Sequence, residues 1–396
     1  MSFILLLFLF FGLLLPSLLA APSNIQKRFF KVDRVRNANF RGHNGPRELL
    51  KTYRKYRMPI PQDLLDATSE TEADTAAETI PGNSNGYKLS QLNDQTRNTA
   101  AGWTGTGIGL VSATPANEGI EYVSPVKIGG QTINMAFDSG SADLWVFSTQ
   151  LPTEAVVGHQ VYDPFRSPSF RLLRGATFSI LYGDGTSASG NVGTDTVDVG
   201  GVTVARQAVQ MATAVSSAFA KDTYNNGLLG LGFSKLNTVT PLKQSTFFEN
   251  VMPSLAQPLF TADLRKDTVG AYEFGRIDAT KFDGSLSWIP ANTDQGFWQF
   301  PTGGFRVGKD TDEWKKVPAA QAIIDTGTTL MLVSKEISDG YYSQVPLAQR
   351  TAAAGGVTFP CNTTLPDLLI DVGGVYTARV SGLDINFGKF KGDCMS

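Results

Sequence analysis

The spacing of apolar and polar positions changes character several times along the chain. Met1–Ala20 is almost continuously apolar, broken only by Ser2, Gly12, Pro16 and Ser17. Followed by the small residues Ala20 and Ala21, this run predicts a secretory signal peptide over 1–20, removed from the mature protein. It is long enough to anchor a membrane, but Pro16 and the small residues after it favour cleavage. Arg47–Arg57 carries Leu50, Tyr53 and Arg57 at helical spacing, which predicts a short amphipathic helix ended by Met58-Pro59-Ile60-Pro61. Asp63–Asn98 has no periodicity and is rich in Ala, Thr, Ser, Glu and Asp, so it is expected to be an unfolded linker. From Ile120 onward, short runs of Val, Ile, Thr, Tyr and Phe alternate with Gly, Asn and Asp turns, the signature of an all-β body. Tyr122–Lys127 and Thr132–Phe137 predict one hairpin. Phe178–Tyr182 and Gly190–Val199 predict another, with Gly183–Ser189 as its connecting loop. Helices are expected to be few, with Lys335–Val345 the clearest.

One motif within the β body occurs twice. Phe137-Asp138-Ser139-Gly140-Ser141 returns as Ile324-Asp325-Thr326-Gly327-Thr328: an apolar strand, Asp, a hydroxyl residue, Gly and a second hydroxyl residue. A single Asp-[Ser/Thr]-Gly is an ordinary turn. Two copies in corresponding places of similar halves can bring a pair of carboxylates together. Carboxylates about 3 Å apart share one proton, because both cannot be charged cheaply. The ionised member can then act as a general base on a water and the protonated member as a general acid. Gly140 and Gly327 would let the two backbones approach.

Composition narrows the chemistry. With 42% apolar residues, 40 Gly and 20 Pro, the chain is globular and turn-rich, and its length suggests two to three domains. Residues 21–102 carry 13 Lys and Arg against 9 Asp and Glu, whereas 103–396 carry 21 against 27. A basic leader on an acidic body suggests an electrostatic partnership within the chain, not nucleic-acid binding. The two cysteines, Cys361 and Cys394, are expected to form one disulfide in an exported chain. The only histidines are His43, in the leader, and His159, expected in a surface loop. A Cys–His or Ser–His–Asp engine would have to use His159, and a zinc site would lack spaced partners, so carboxylates remain. No metal or organic cofactor is expected. Asn362-Thr363-Thr364 is a glycosylation sequon at Asn362.

These motifs resemble those of the pepsin-like aspartic proteases, most closely the secreted fungal penicillopepsin and aspergillopepsin type, over roughly Ala101–Cys394. The resemblance implies a bilobal all-β fold: an N-terminal lobe over 102–280 with Asp138, and a C-terminal lobe over 281–396 with Asp325. It implies that Ser139 and Thr326 brace the two loops and that Ser141 and Thr328 bond the outer aspartate oxygens. Tyr182-Gly183-Asp184 is similar to the family's flap, with Tyr182 over the scissile bond and its oxygen receiving the Trp145 N–H. Asp184 would let the first specificity pocket accept Lys as well as large apolar side chains. Gly227–Gly232 would support the Asp138 loop. Residues 21–101 would be a propeptide and linker in which Lys55 and Tyr56 cover the catalytic pair, with processing between about Asn98 and Ala113.

An equally long second lobe would place the counterpart of Gly230 beyond Ser396, so the C-terminal lobe is expected to be truncated, with unpaired edges. The expected protein is a monomeric secreted aspartic endopeptidase made as a zymogen, acting on protein and peptide substrates at acid pH. Its own propeptide would be its inhibitor, and nothing would hold it to a membrane after signal removal. The alternative expectation is an inactive pepsin-like peptide-binding protein.

Overall fold

The structure is a computed structural model, and it describes residues 45–56, 58–72, 79–80, 107–116, 120–182, 185–266, 268–351, 356–390 and 392–396. The expected signal segment, the leader before residue 45, the turn-rich stretch at 81–86 and the flap residues Gly183 and Asp184 lie outside these. The described residues fall in one compact unit, Asn37–Ser396.

Among them, the first part of the body forms an 11-stranded sheet. Its strands are β1 (Thr79–Ile80), β2 (Gly109–Ala116), β3 (Glu121–Ile128), β4 (Gln131–Asp138), β5 (Leu144–Val146), β6 (Arg171–Leu181), β7 (Ser187–Val199), β8 (Val202–Ser216), β9 (Gly227–Gly230), β10 (Phe260–Asp263) and β11 (Gly270–Phe274). Their order is β10-β11-β2-β3-β4-β9-β5-β8-β7-β6. β1 adds to β8, and a further β3–β7 pairing curls the sheet onto itself. The period-2 pattern explains β4: Ile133, Met135 and Phe137 are each at most 2% exposed and face the main core, while Thr132 and Asn134 point away. β3 and β4 form the expected hairpin. Its two-residue turn, Gly129-Gly130, has positive φ at both positions, which glycine adopts without strain.

The second part carries β12 (Gln299–Val307), β13 (Lys315–Ile323), β14 (Gln349–Thr351), β15 (Gly356–Phe359), β16 (Leu368–Val372), β17 (Tyr376–Val380), β18 (Gly388–Phe390) and β19 (Asp393–Met395). They form two sheets, β13-β12-β16-β17 and β14-β15-β19-β18, around a separate core that includes Phe305, Val307, Tyr341 and Phe359. Cys361 and Cys394 are joined by a disulfide beside the β15–β19 pair. The architecture is the all-β one that the patterning implied, with the two lobes that the resemblance implied.

Several expectations need correction. Asp63–Asn98 is not uniformly unfolded. After α1 (Gly45–Lys55), a second helix α2 (Gln62–Glu72) buries Leu64 and Thr68 and packs on α1. The hairpin after Leu181 is tighter than predicted, because β7 already begins at Ser187 and pairs with Leu181. The helix expected over Lys335–Val345 ends at Tyr342, and residues 343–345 continue as a turn. His159 is in a loop but half-buried: its ring stacks on Phe147 at 3.9 Å, with its nitrogens 3.2 Å from Asn226 Oδ1 and the Ala220 carbonyl.

Candidate active site

Each Asp loop follows a strand, Asp138 at the end of β4 and Asp325 two residues after β13. β9 lies under the first loop, parallel to β4 and antiparallel to β5. Asp138 is in register with Gly230, and the Leu231 N–H donates to the Asp138 carbonyl at 2.8 Å. The four Gly227–Gly230 residues are buried, as the apolar run implied.

The two loops are locked by reciprocal hydrogen bonds. Ser139 N donates to Thr326 Oγ1 at 3.1 Å and Thr326 N to Ser139 Oγ at 2.9 Å. The hydroxyls then donate onward across the seam, Ser139 to the Ile324 carbonyl at 2.9 Å and Thr326 to the Phe137 carbonyl at 2.8 Å. Glycine is required where they meet. A Cβ on Gly140 would lie 2.6 Å from Asp325 Cγ, and one on Gly327 would lie 2.3 Å from Asp138 Oδ1. The carboxylates are held alike, each accepting from the N–H two residues on, Gly140 or Gly327, at 2.9 Å.

The outer positions differ. Thr328 Oγ1 donates to Asp325 Oδ2. Ser141 lies close enough to favour the charged form of Asp138, but its buried hydroxyl makes no hydrogen bond among the described residues. The symmetric bond expected of Ser141 is therefore not formed.

Lys55 and Tyr56 occupy the space between the carboxylates. Lys55 Nζ is 3.0 Å from Asp138 Oδ1 and 2.6 Å from Asp325 Oδ2, and the Tyr56 hydroxyl donates to Asp325 Oδ2. Burial opposes a charge on Lys55, but the two carboxylates outweigh it and raise its pKa. Burial raises the Asp138 pKa against the pull of Lys55. At Asp325, burial is outweighed by Lys55 and by hydrogen bonds from Asp138 and Thr328, so its pKa is lowered. One acid is thus disposed to hold a proton and the other to lose it, side by side.

Tyr182 precedes the described end of the flap turn, and its hydroxyl accepts from Trp145 Nε1 at 2.8 Å. Sequence reasoning missed Phe219, on α3 (Ser217–Lys221). Its ring lies 5.0 Å from Trp145 and 5.6 Å from Tyr182, wedging the flap base. It also missed Tyr272, whose ring packs on Phe137 at 4.8 Å and whose hydroxyl reaches the Phe137 carbonyl at 3.4 Å. Neither residue sits in a motif. The apolar face of Ser217–Lys221 and the strand pattern of Gly270–Phe274 were the only available signals.

A family model for eukaryotic aspartyl protease matches residues 121–396. The chain is a pepsin-like aspartic protease of the fungal type. It is 43% identical over 393 residues to a putative aspergillopepsin A-like aspartic endopeptidase of Aspergillus fumigatus, covering 96% of this chain and 86% of that one. Penicillopepsin-1 of Penicillium janthinellum is 49% identical over 280 residues, 71% of this chain and 84% of the relative. Endothiapepsin of Cryphonectria parasitica is 41% identical over 363 residues, 91% of this chain and 78% of the relative. The protease is accordingly a peptide-bond hydrolase whose substrates are peptides.

Proposed function

We propose that the protease is a secreted zymogen in which Asp138 and Asp325 activate a water for attack on a peptide carbonyl, with Lys55 and Tyr56 holding the uncleaved chain inactive. The observation that carries this reading is the ammonium of Lys55 set between two buried carboxylates, at 3.0 and 2.6 Å, where a substrate and its water would otherwise lie. With the leader gone, Asp325, which still accepts hydrogen bonds from Thr328 and from a protonated Asp138, is the base that takes a proton from the water, and Asp138 gives one to the substrate. No covalent intermediate is needed. Gly140 N and Gly327 N fix the carboxylates in place, and the Ser139–Thr326 seam fixes their separation. Tyr182, steadied by Trp145, together with Gly183 and Asp184 would form the closing flap that excludes water.

Secretion rests on the apolar run at 1–20 and the disulfide. Among the described residues no helix is long and apolar enough to cross a membrane. Lobes over about 102–280 and 281–396 are supported by the change from the 11-stranded sheet to the two four-stranded ones between β11 and β12. Leader removal is read as falling between about Asn98 and Ala113, and the pairing of β2 with β11 and β3 from Gly109 onward supports the earlier part of that range. Asn362 is exposed at a turn, so it is open to a glycan.

Asp325→Asn tests the mechanism. Acid proteolysis by the acid-treated chain should fall by about 10²-fold or more, while binding of a peptide inhibitor such as pepstatin persists. An Asp325→Asn variant that hydrolyses protein at the wild-type rate would refute it.

A further inference from the structure

Trp298 belongs to the second half of the chain, yet its ring packs against the core of the first. Gly296, just before it, turns the chain at a φ of 88°, a left-handed conformation that glycine adopts without strain. A Cβ there would lie 2.8 Å from Leu236 Cγ. Beyond the turn, two successive aromatic rings go to different places. Phe297 meets Tyr56 of the leader edge-on at 5.9 Å. Trp298 meets Phe233 at 4.6 Å, Phe260 at 5.7 Å and Phe248 at 6.3 Å. Phe260 lies on β10 and Phe248 on α4 (Phe247–Val251), both in the first half.

The polar groups of Trp298 reach both aspartate loops. Its Nε1–H donates to the Leu231 carbonyl at 2.9 Å, and the Leu231 N–H donates to the Asp138 carbonyl at 2.8 Å. The Trp298 carbonyl accepts from Ile324 N at 3.1 Å, continuing by one residue the pairing of Gln299 with Ile323 in β12 and β13. The Ile324 carbonyl in turn accepts from Ser139 Oγ at 2.9 Å. Ser139 follows Asp138 and Ile324 precedes Asp325, so these four hydrogen bonds close a ring through the two loops. Two of the four depend on a side chain: the Ser139 hydroxyl, which belongs to the seam, and the Trp298 indole.

An indole suits this place because it offers one donor and no acceptor on a large apolar body. The ring fills the aromatic cluster, and the N–H satisfies the carbonyl of Leu231, which is fully buried. Leaving that carbonyl without a partner away from water is costly. Two further bonds run alongside, from Phe233 N to the Gly296 carbonyl at 3.0 Å and from Lys235 Nζ to the Asp294 carbonyl at 2.9 Å. Of the three, the indole bond is the one that ends on a residue bonded to Asp138.

We propose that Trp298 is a positioning residue for the catalytic pair, the link through which the Asp138 and Asp325 loops, built by different halves, keep one separation. This rests on the reading that those two acids do the chemistry. Carboxylates in contact titrate in two steps, one below and one above the ordinary value, and the shared proton exists between the steps. The gap between the steps shrinks with distance. Loosening the ring of hydrogen bonds therefore narrows, from both sides, the pH range in which the pair holds one proton, and it lowers the rate within that range. The other titratable groups acting on the pair are Lys55 and Tyr56, which leave with the leader, and Tyr272, whose hydroxyl burial keeps protonated.

The test compares wild type with Trp298→Phe, with benzothienylalanine in place of Trp298, and with Phe248→Leu, each made as the full chain and activated in acid. Both changes at Trp298 remove the donor, and benzothienylalanine keeps the bicyclic shape, so a packing defect is told apart from the lost hydrogen bond. Both should lower kcat by about two- to tenfold, the worth of one neutral hydrogen bond, with little change in KM. Both should also narrow the bell of kcat/KM against pH. Phe248→Leu thins the same aromatic cluster without touching the ring of hydrogen bonds. It should lower the unfolding temperature and leave the width of the bell unchanged. Hydrogen exchange on the same activated chains gives a readout without hydrolysis: peptides carrying the Gly140 and Gly327 N–H groups should both exchange faster in the two Trp298 variants. A bell of wild-type width, faster exchange in one loop only, or a Phe248→Leu bell as narrow as that of Trp298→Phe would overturn the proposal. Asp325→Asn is made alongside. Hydrolysis that survives it refutes the catalytic reading, while exchange in the two loops still decides whether Trp298 couples them.

Discussion

Ser139 and Thr326 each do two jobs with one hydroxyl. Each accepts the other loop's backbone N–H and donates to a carbonyl across the seam, so four hydrogen bonds cross between the loops at 2.8 to 3.1 Å. The polar groups involved are part-buried, so an orphaned partner costs up to about 1–3 kcal/mol. Thr326→Ala strands Ser139 N and the Phe137 carbonyl. Ser139→Ala strands Thr326 N and the Ile324 carbonyl. Each single variant should lose about 1–3 kcal/mol of unfolding free energy, measured by urea titration, and the double variant should lose less than the sum because both act on one seam. Thr326→Ser, which keeps the hydroxyl, should recover most of the loss. The carboxylates depend on the same seam, so the Ala variants should also lower kcat more than they raise KM. Equal unfolding curves for wild type and Thr326→Ala would show that the seam does not carry the load assigned to it.

At the scale of elements, the leader is the informative case. α1 was legible because Leu50 and Tyr53 fall at helical spacing and a proline pair follows. α2 was not, because its buried side among the described side chains is Leu64 and Thr68 in a run of Ser, Thr, Asp and Glu, too short a stripe to register as periodic. It is helical because it has α1 to pack on, a tertiary reason that local pattern cannot carry. The strands with one buried face, such as β4, and the doubled Asp motif were plain in the sequence. The cross-loop geometry was available only by resemblance, and the missing Ser141 bond, the Phe219 wedge and the Trp298 link depend on contacts between segments far apart in the chain.

Lys55, at the end of α1, has a pKa raised by the carboxylates around it, while that of Asp325 is lowered. The Lys55 contribution is fully present below the ordinary lysine value of about 10.4 and is lost above its folded value. The Asp325 contribution is present above about 3.9 and is lost as pH falls through its lower folded value. The Lys55–Asp325 part of the clasp is therefore complete from neutrality down to about pH 4 and weakens below it, while Asp138, whose pKa burial raises, acts against the fold above that value. Lys55→Gln removes the positive charge and leaves two carboxylates facing each other without a cation. The uncleaved variant should cleave a peptide substrate, or shed its own leader, at a higher pH than wild type. The measurement is the pH at which half the chain is processed in a fixed time. No shift would mean that Lys55 does not hold the zymogen.

For the whole molecule, the two halves are stabilised by different means. The first has a continuous sheet over an extensive core containing Phe137, Tyr162, Tyr272 and Phe274, all at most 2% exposed. The second has two four-stranded sheets and a smaller core, and it leaves Trp288 73%, Ile324 57% and Met331 50% exposed. There the disulfide carries more of the burden. It ties the turn after β15 to β19, whose Cys394 already pairs with Phe359, and so fastens the central strand pair of the β14-β15-β19-β18 sheet. Its sequence separation is 33 residues, for which the loop-entropy model gives about 3–4 kcal/mol. Replacing both cysteines with serine should destabilise the second half by about that much and split the thermal transition, with the first half melting where it did before. Because Asp325 depends on the second half and Asp138 on the first, acid proteolysis should be lost with the earlier transition, well below the temperature at which the first half unfolds. A single unshifted transition in the serine variant would mean that the disulfide does not carry the load assigned to it.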